Sequence, residues 1–168
     1  MKLNDIISDP IIFLDELFEK ASAIDLKPYF LDHICYRVGS LAEYAVKKEQ
    51  LKEHGDMLIE SMVNGRMIAT YKLHHPIQYQ DRLIDVIELP APKPGHSYKS
   101  GLEHAEFVSG PLKEIVAKYP HLKFDTAGID KEINADITLR LGEYCIRFHN
   151  QTLESVIAHE LKQMESHV

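Results

Sequence analysis

Two short runs, "LDHICYRV" at 31–38 and "LEHAEFV" at 102–108, constrain this chain more than any other feature. Each alternates as a strand does, each places a leucine and an acid before a histidine, and each opens a similar succession of elements. A duplicated module follows as the expectation. The length of 168 residues suits one globular domain, or two half-size modules sharing a core.

The first copy is legible over 31–90. After "DHICYRV", the stretch "SLAEYAVKKEQLKEHG" predicts a helix, with Ser40 and Glu43 in capping-box positions and Gly55 as its stop. "MLIESMV" and "RMIATYKLHH" flank Asn64-Gly65, a dipeptide that tolerates positive φ and predicts a tight hairpin, and "RLIDVIELP" adds a further strand. The Pro, Gly and Ser of 91–101 read as a linker. Over 102–150 the order restarts. "LEHAEFV" is a strand, "GPLKEIVAKYP" a short helix, "FDTAGIDKEINA" a weak strand or loop, and "DITLRL" with "YCIRFHN" a final hairpin. Residues 1–30 hold an N-terminal helix over 8–21, capped by Asp9 with Pro10 in its first turn, and Ile11, Leu14, Leu17, Phe18 and Ala21 on its apolar side. Residues 151–168 hold a C-terminal helix that buries Leu153, Val156, Ile157 and Leu161. The expected fold class is α+β: two tandem βαβββ modules forming one curved, partly closed mixed sheet in a single domain.

A net charge of −7 disfavours a polyanion binder, so no nucleic acid is expected. No run approaches the roughly 18 apolar residues of a membrane span, and the N-terminus lacks the apolar core of a signal peptide, so no membrane is expected and the reading is cytoplasmic. Cys35 and Cys145 fall inside strands without CxxC spacing, which suits buried, reduced thiols.

Strand alternation then sorts the polar side chains. His33, Cys35 and Arg37 share one face of their strand. Ile84, Val86 and Glu88 share another, so Glu88 projects from an apolar row, which is costly unless it is paired. His104 and Glu106 share a face, as do Arg147 and His149. If these faces line the concave side of one sheet, its lining holds His33, Glu88, His104, Glu106, Arg147 and His149. Two imidazoles and one carboxylate suit Fe(II), Mn(II), Zn(II) or Ni(II), and three protein ligands leave positions open for substrate. The plainer reading, in which Glu88 pairs with Arg37 or Arg147 and the histidines merely pack, stands beside it. By alternation only one of His74 and His75 can face the pocket, and His74 is the better candidate. Solvation accounts for His54, His96, His121, His159 and His167.

The duplicated βαβββ order, with metal-type side chains on first and fourth strands, resembles the vicinal oxygen chelate superfamily, which includes glyoxalase I, extradiol dioxygenases and bleomycin-resistance proteins. "DHICYRV", "SMVNGRMI", "YKLHHPI", "VIELPAPKPG", "LEHAEFV" and "IRFHNQTLESVI" together resemble the bacterial YecM family, over roughly residues 28–158. The resemblance implies metal ligands at His33, Glu88 and His104. It also exposes a departure: Arg147 aligns with Glu88 where glyoxalase-like members carry a fourth ligand, and a guanidinium cannot ligate a cation. Arg147 can instead grip an anionic oxygen of a small substrate, with His149 or Glu106 as general acid or base. The bland alternative pairs Arg147 with Glu106. The implied function is a divalent-metal-dependent isomerase, lyase or dioxygenase acting on a small, oxygen-rich, anionic metabolite. A non-catalytic ligand-sequestering module on the same fold is the competing class, although this lining is rich in His, Glu and Arg and the chain has no Trp.

Overall fold

The computed structural model describes residues 1–166, so His167 lies outside the described residues. The order is α1 (Leu3–Ile7), α2 (Pro10–Lys20), β1 (Phe30–Arg37), α3 (Leu41–Leu51), β2 (Gly55–Val63), β3 (Arg66–Tyr79), β4 (Arg82–Pro90), β5 (Gly101–Val108), α4 (Leu112–Lys118), β6 (Asp136–Leu141), β7 (Tyr144–His149) and α5 (Leu153–Ser166). The seven strands form one mixed, curved, open sheet in the order β2-β3-β4-β1-β5-β7-β6. β1 and β5 pair antiparallel at its centre, each has a parallel neighbour on its outer side, β4 and β7 respectively, and antiparallel strands complete both wings.

Local chemistry places these elements. The Asp9 carboxylate accepts from Ile11 N at 2.9 Å ahead of Pro10, and Ser40 Oγ accepts from Glu43 N at 3.1 Å, so both expected caps form. Asn64 (φ 50°) and Gly65 (φ 80°) make the hairpin between β2 and β3. Gly55, in contrast, does not stop α3. It begins β2, where a Cβ would come within 2.4 Å of Lys72 O, so its place is fixed by close backbone approach.

One face of the sheet carries the core. Ile34, Ile87, Ala105, Phe107, Ile146 and Phe148 are all fully buried there, and the Phe107 and Phe148 rings stack 5.7 Å apart. Helix α2 docks through Phe13, Leu14 and Leu17, while Ile11, assigned to its buried stripe from sequence, is partly exposed. Leu161 of α5 likewise faces solvent, leaving Val156 and Ile157 as that helix's buried pair. The short helix α1, not anticipated, buries Ile6 and Ile7.

The second half departs from βαβββ. Between α4 and β6 a single bridge, Asp125 to Thr138, stands where the first half has a full strand, so the sheet has seven strands rather than eight. The segment "FDTAGIDKEINA" is rich in Asp, Asn, Thr and Gly, which favour local turns over a ladder, and it offers no run of alternating apolar residues. No helix among the described residues is long and apolar enough to cross a membrane.

Candidate metal centre

Register sets the polar face in two rows. Val86, His33, Glu106 and Arg147 stand abreast on β4, β1, β5 and β7; one pleat along, Glu88, Cys35, His104 and Cys145 stand abreast on the same strands. His149 lies two residues beyond Arg147 on β7, opposite Val108 and Asp136. The six residues expected to line the pocket are thereby brought to one place.

Two β-bulges complete it. The β1/β5 ladder passes from Leu31–Phe107 to His33–Glu106, leaving Asp32 as the extra residue, and from Cys35–His104 to Tyr36–Leu102, leaving Glu103 as the extra residue. A bulge re-aims the side chain it carries. Asp32 Oδ2 therefore reaches His33 Nδ1 at 2.8 Å, and Glu103 Oε2 reaches His104 Nδ1 at 2.5 Å. In both copies the acid before the histidine holds one ring nitrogen and turns the other toward Glu106.

Glu106, 4% exposed, is the hub. Its Oε1 accepts from His104 Nε2 at 2.9 Å and lies 3.6 Å from Arg147 Nη1; its Oε2 lies 3.4 Å from His33 Nε2 and in contact with His149 Nε2. Glu88 Oε2 is 3.9 Å from His104 Nε2. His33, Glu88 and Glu106 each present a ligand atom within 4.8 Å of the other two, as do Cys35, Glu103 and His104. Glu88 pairs with neither Arg37 nor Arg147: Arg37 goes to Glu103 at 3.8 Å, and Arg147 goes to Glu106. His33, Glu88, Glu106, Arg147 and His149 line a cavity of about 220 Å³, whose wall continues through Arg66, Lys93, Gln151 and Leu153. His104 is buried beneath Glu106 and does not line it.

The charges are mutually held. Burial alone would lower the His33 pKa, but the Glu106 charge and the Asp32 hydrogen bond outweigh it and raise the value to about 10. His104 is likewise raised despite its burial, the direction its hydrogen bonds to Glu103 and Glu106 impose. Burial would raise the Glu106 carboxyl, yet His33 and His149 hold it well below the usual carboxylate range, and Glu103 is brought to about 2 against its burial by His104 and Arg37. The Arg147 guanidinium, which burial would weaken, is kept charged by Glu106. Burial pushes the Cys35 thiol up to about 11, and both cysteines are free and buried, so they pack as neutral thiols.

His74 is not part of this centre. The β3/β4 ladder jumps from Lys72–Val86 to Ile77–Ile84, and while Leu73 stays buried and paired with Gly55, residues 74–76 turn to solvent around Pro76, which has no N–H to give. His74 Nε2 meets Asp56 Oδ1 at 3.2 Å on the outside. The sequence reading missed Asp32 and Glu103 as imidazole partners, since on a regular strand consecutive side chains face opposite ways. Their signal was an acid before a histidine, repeated in both copies.

A mixed, curved sheet of two similar wings meeting at an antiparallel centre is a fold with vicinal oxygen chelate-like neighbours among solved structures. Methylmalonyl-CoA epimerase from Mycobacterium tuberculosis shares this fold at a TM-score of 0.51 and 14% identity, over 71% of this chain and 86% of that one. The chain belongs to the YecM family, whose model, described as YecM protein, matches residues 2–160. Protein YecM of Escherichia coli (strain K12) is 29% identical over 178 aligned positions, covering 95% of this chain and 94% of that protein. A solved chain described as "Structural Genomics, Protein EC4020" superposes with a TM-score of 0.74 at 28% identity, over 89% of this chain and 86% of the other.

Proposed function

We propose that this chain is a divalent-metal-dependent enzyme of the vicinal oxygen chelate type, an isomerase, lyase or dioxygenase acting on a small, oxygen-rich, anionic metabolite. One observation carries the reading: His33 Nε2 is buried, makes no well-aligned hydrogen bond, faces Glu106 Oε2 at 3.4 Å, and belongs to a set with Glu88 and Glu106 whose ligand atoms lie within 4.8 Å of one another. A cation on this set would be ligated by the imidazole and the carboxylates together and would replace that misaligned contact.

The donor chemistry fits. Asp32 and Glu103 hold the Nδ1 atoms of His33 and His104, the outer carboxylate arrangement that fixes a ligating imidazole and aims its Nε2 at the cluster, where an ion would displace the His104 Nε2–Glu106 Oε1 bond of 2.9 Å. His33, Glu88 and Glu106 form one converging group, and His104, which belongs to a second group with Cys35 and Glu103 but has its Nε2 3.9 Å from Glu88 Oε2, would complete the set that holds Fe, Mn, Zn or Ni. Two carboxylates and two neutral imidazoles balance a divalent charge. When bound, the ion would polarise a carbonyl or enediol oxygen of the substrate. Arg147 binds the substrate's anionic oxygen. His149, whose Nδ1 is buried without a partner, holds or delivers a proton at the cavity wall, and Glu106 can accept one.

The test is elemental analysis of untagged protein purified without chelator, followed by titration of the stripped protein with Mn(II), Zn(II), Ni(II) and anaerobic Fe(II). One equivalent should bind, and Glu88→Gln should abolish it. Wild-type protein that takes up none of the four ions sinks the proposal.

A further inference from the structure

The cavity over the candidate metal centre is more cationic than a chain of net charge −7 would suggest, and two of its cations, Arg66 and Lys93, are left over after internal pairing. Its charged lining residues, besides the histidines, are Arg66, Lys93, Lys131 and Arg147 against Glu88, Glu106 and Asp136. Lys131 and Asp136 cancel, bonded at 2.6 Å. A divalent ion on the cluster offsets Glu88 and Glu106. Arg147 faces Glu106 at 3.6 Å, a carboxylate that such an ion would compete for, whereas neither Arg66 nor Lys93 has an ion-pair partner among the described residues.

Their placement on the sheet matters as much as their number. Arg66 opens β3 directly after the Asn64-Gly65 turn, and Lys93 follows β4. The bond from Ala91 N to Met67 O, 2.8 Å, ties these two segments together, so both cations stand on one wall. Arg147 lies on β7, three strand spacings from β4, about 14 Å across the sheet. All three line the same cavity of about 220 Å³, the volume of roughly seven waters. Arg147 Nε is buried there without a hydrogen-bond partner.

We infer that the cavity selects a short-chain metabolite with an anionic group at each end, a dicarboxylate in its simplest form, one end gripped by Arg147 beside the metal cluster and the other by Arg66 and Lys93 on the facing wall. Arg66 and Lys93 are then specificity determinants: a monocarboxylate of equal length leaves them unpaired. The inference rests on the reading of this cavity as the substrate site, but not on which metal fills the cluster.

The experiment measures calorimetric affinity of the wild-type chain, with and without Mn(II), for malonate, succinate, glutarate and butyrate. At least one dicarboxylate should bind about tenfold or more tightly than butyrate, a difference of about 1.4 kcal/mol. The double variant Arg66→Gln/Lys93→Gln should lose that preference while keeping its affinity for butyrate and for Mn(II). Both side chains lie at the cavity rim, so the fold should survive, and the wild-type comparison stands without the variant. No dicarboxylate preference in wild type, or a preference that the double variant retains, overturns the inference. Failure of Mn(II) and the other three ions to bind while the preference persists would overturn the metal reading alone, since Arg66 and Lys93 are unpaired with or without an ion.

Discussion

Asp32 Oδ2 lies 2.8 Å from His33 Nδ1, a contact that two consecutive residues on a regular pleat do not make. The same oxygen accepts from Leu153 N at 2.9 Å, at the start of α5. One carboxylate thus fixes an imidazole of the candidate metal centre and anchors the C-terminal helix.

Asp32→Ala should therefore lower two quantities at once. Loss of a buried acceptor with two donors predicts a drop of about 1–3 kcal/mol in urea-denaturation stability of the stripped protein. Loss of ring orientation predicts about 10–100-fold weaker metal binding by titration calorimetry. Asp32→Asn keeps an acceptor oxygen and should recover part of the stability but less of the affinity. An Ala variant with wild-type values of both would refute this dual role.

The pH dependence has a definite sign. His33 is raised from 6.5 to about 10 in the folded chain, so its contribution to stability is complete below pH 6.5 and is lost as pH rises through about 10. Glu103 is lowered from 4.5 to about 2, so its contribution is present above 4.5 and lost as pH falls through about 2. The melting temperature of chelator-treated protein should decline on the alkaline side between these His33 limits. Metal binding must expel the protons instead, so affinity should climb with pH from 6.5 upward, and calorimetry in buffers of different ionisation enthalpy should register proton release. Affinity that is flat across that range would count against imidazole ligation.

Arg147→Ala separates substrate binding from metal binding. The guanidinium touches Glu106 at 3.6 Å and cannot itself ligate an ion. Metal content should stay near wild type while binding of small carboxylates weakens by about 1.5–3 kcal/mol, the range for hydrogen bonds to charged groups. If the variant instead purifies without metal-binding capacity, the arginine serves to position Glu106.

On the opposite face, Phe107 is fully buried against Phe18 and Phe148. Phe107→Ala should cost about 3–5 kcal/mol in chemical denaturation. A loss below 1 kcal/mol would mean that the core collapses around the gap.

The wings of the sheet were readable because their chemistry is local. Caps at Asp9 and Ser40 and the Asn64-Gly65 turn each act over a few residues, and alternation sorted His33, Glu88, His104, Glu106, Arg147 and His149 strand by strand, with one curved sheet as the condition for their sharing a face. What escaped the sequence breaks alternation. The bulges at Asp32 and Glu103 and the outward turn of β3 at 74–76 are properties of a strand pair, so neither strand shows them alone. The failed strand over 124–135 and the rotated stripe of α2, with Phe13 inward instead of Ile11, depend on what lies opposite. Glu106 became the hub for the same reason: its neighbours come from three different strands.

The two bulges mean that Asp32 and Glu103 are additions to the central ladder rather than members of it. Leu31 and His33 face Phe107 and Glu106, successive residues of the partner, so the alternation on either side of the inserted acid is that of an uninterrupted strand. Deleting such a residue closes the ladder without turning any downstream side chain to the wrong face, whereas a slip elsewhere would invert a whole strand. Each imidazole's anchor can accordingly be gained or lost by a change of one residue in chain length, with the sheet intact, which gives a lineage built on this fold a route between holding a cation tightly and releasing it.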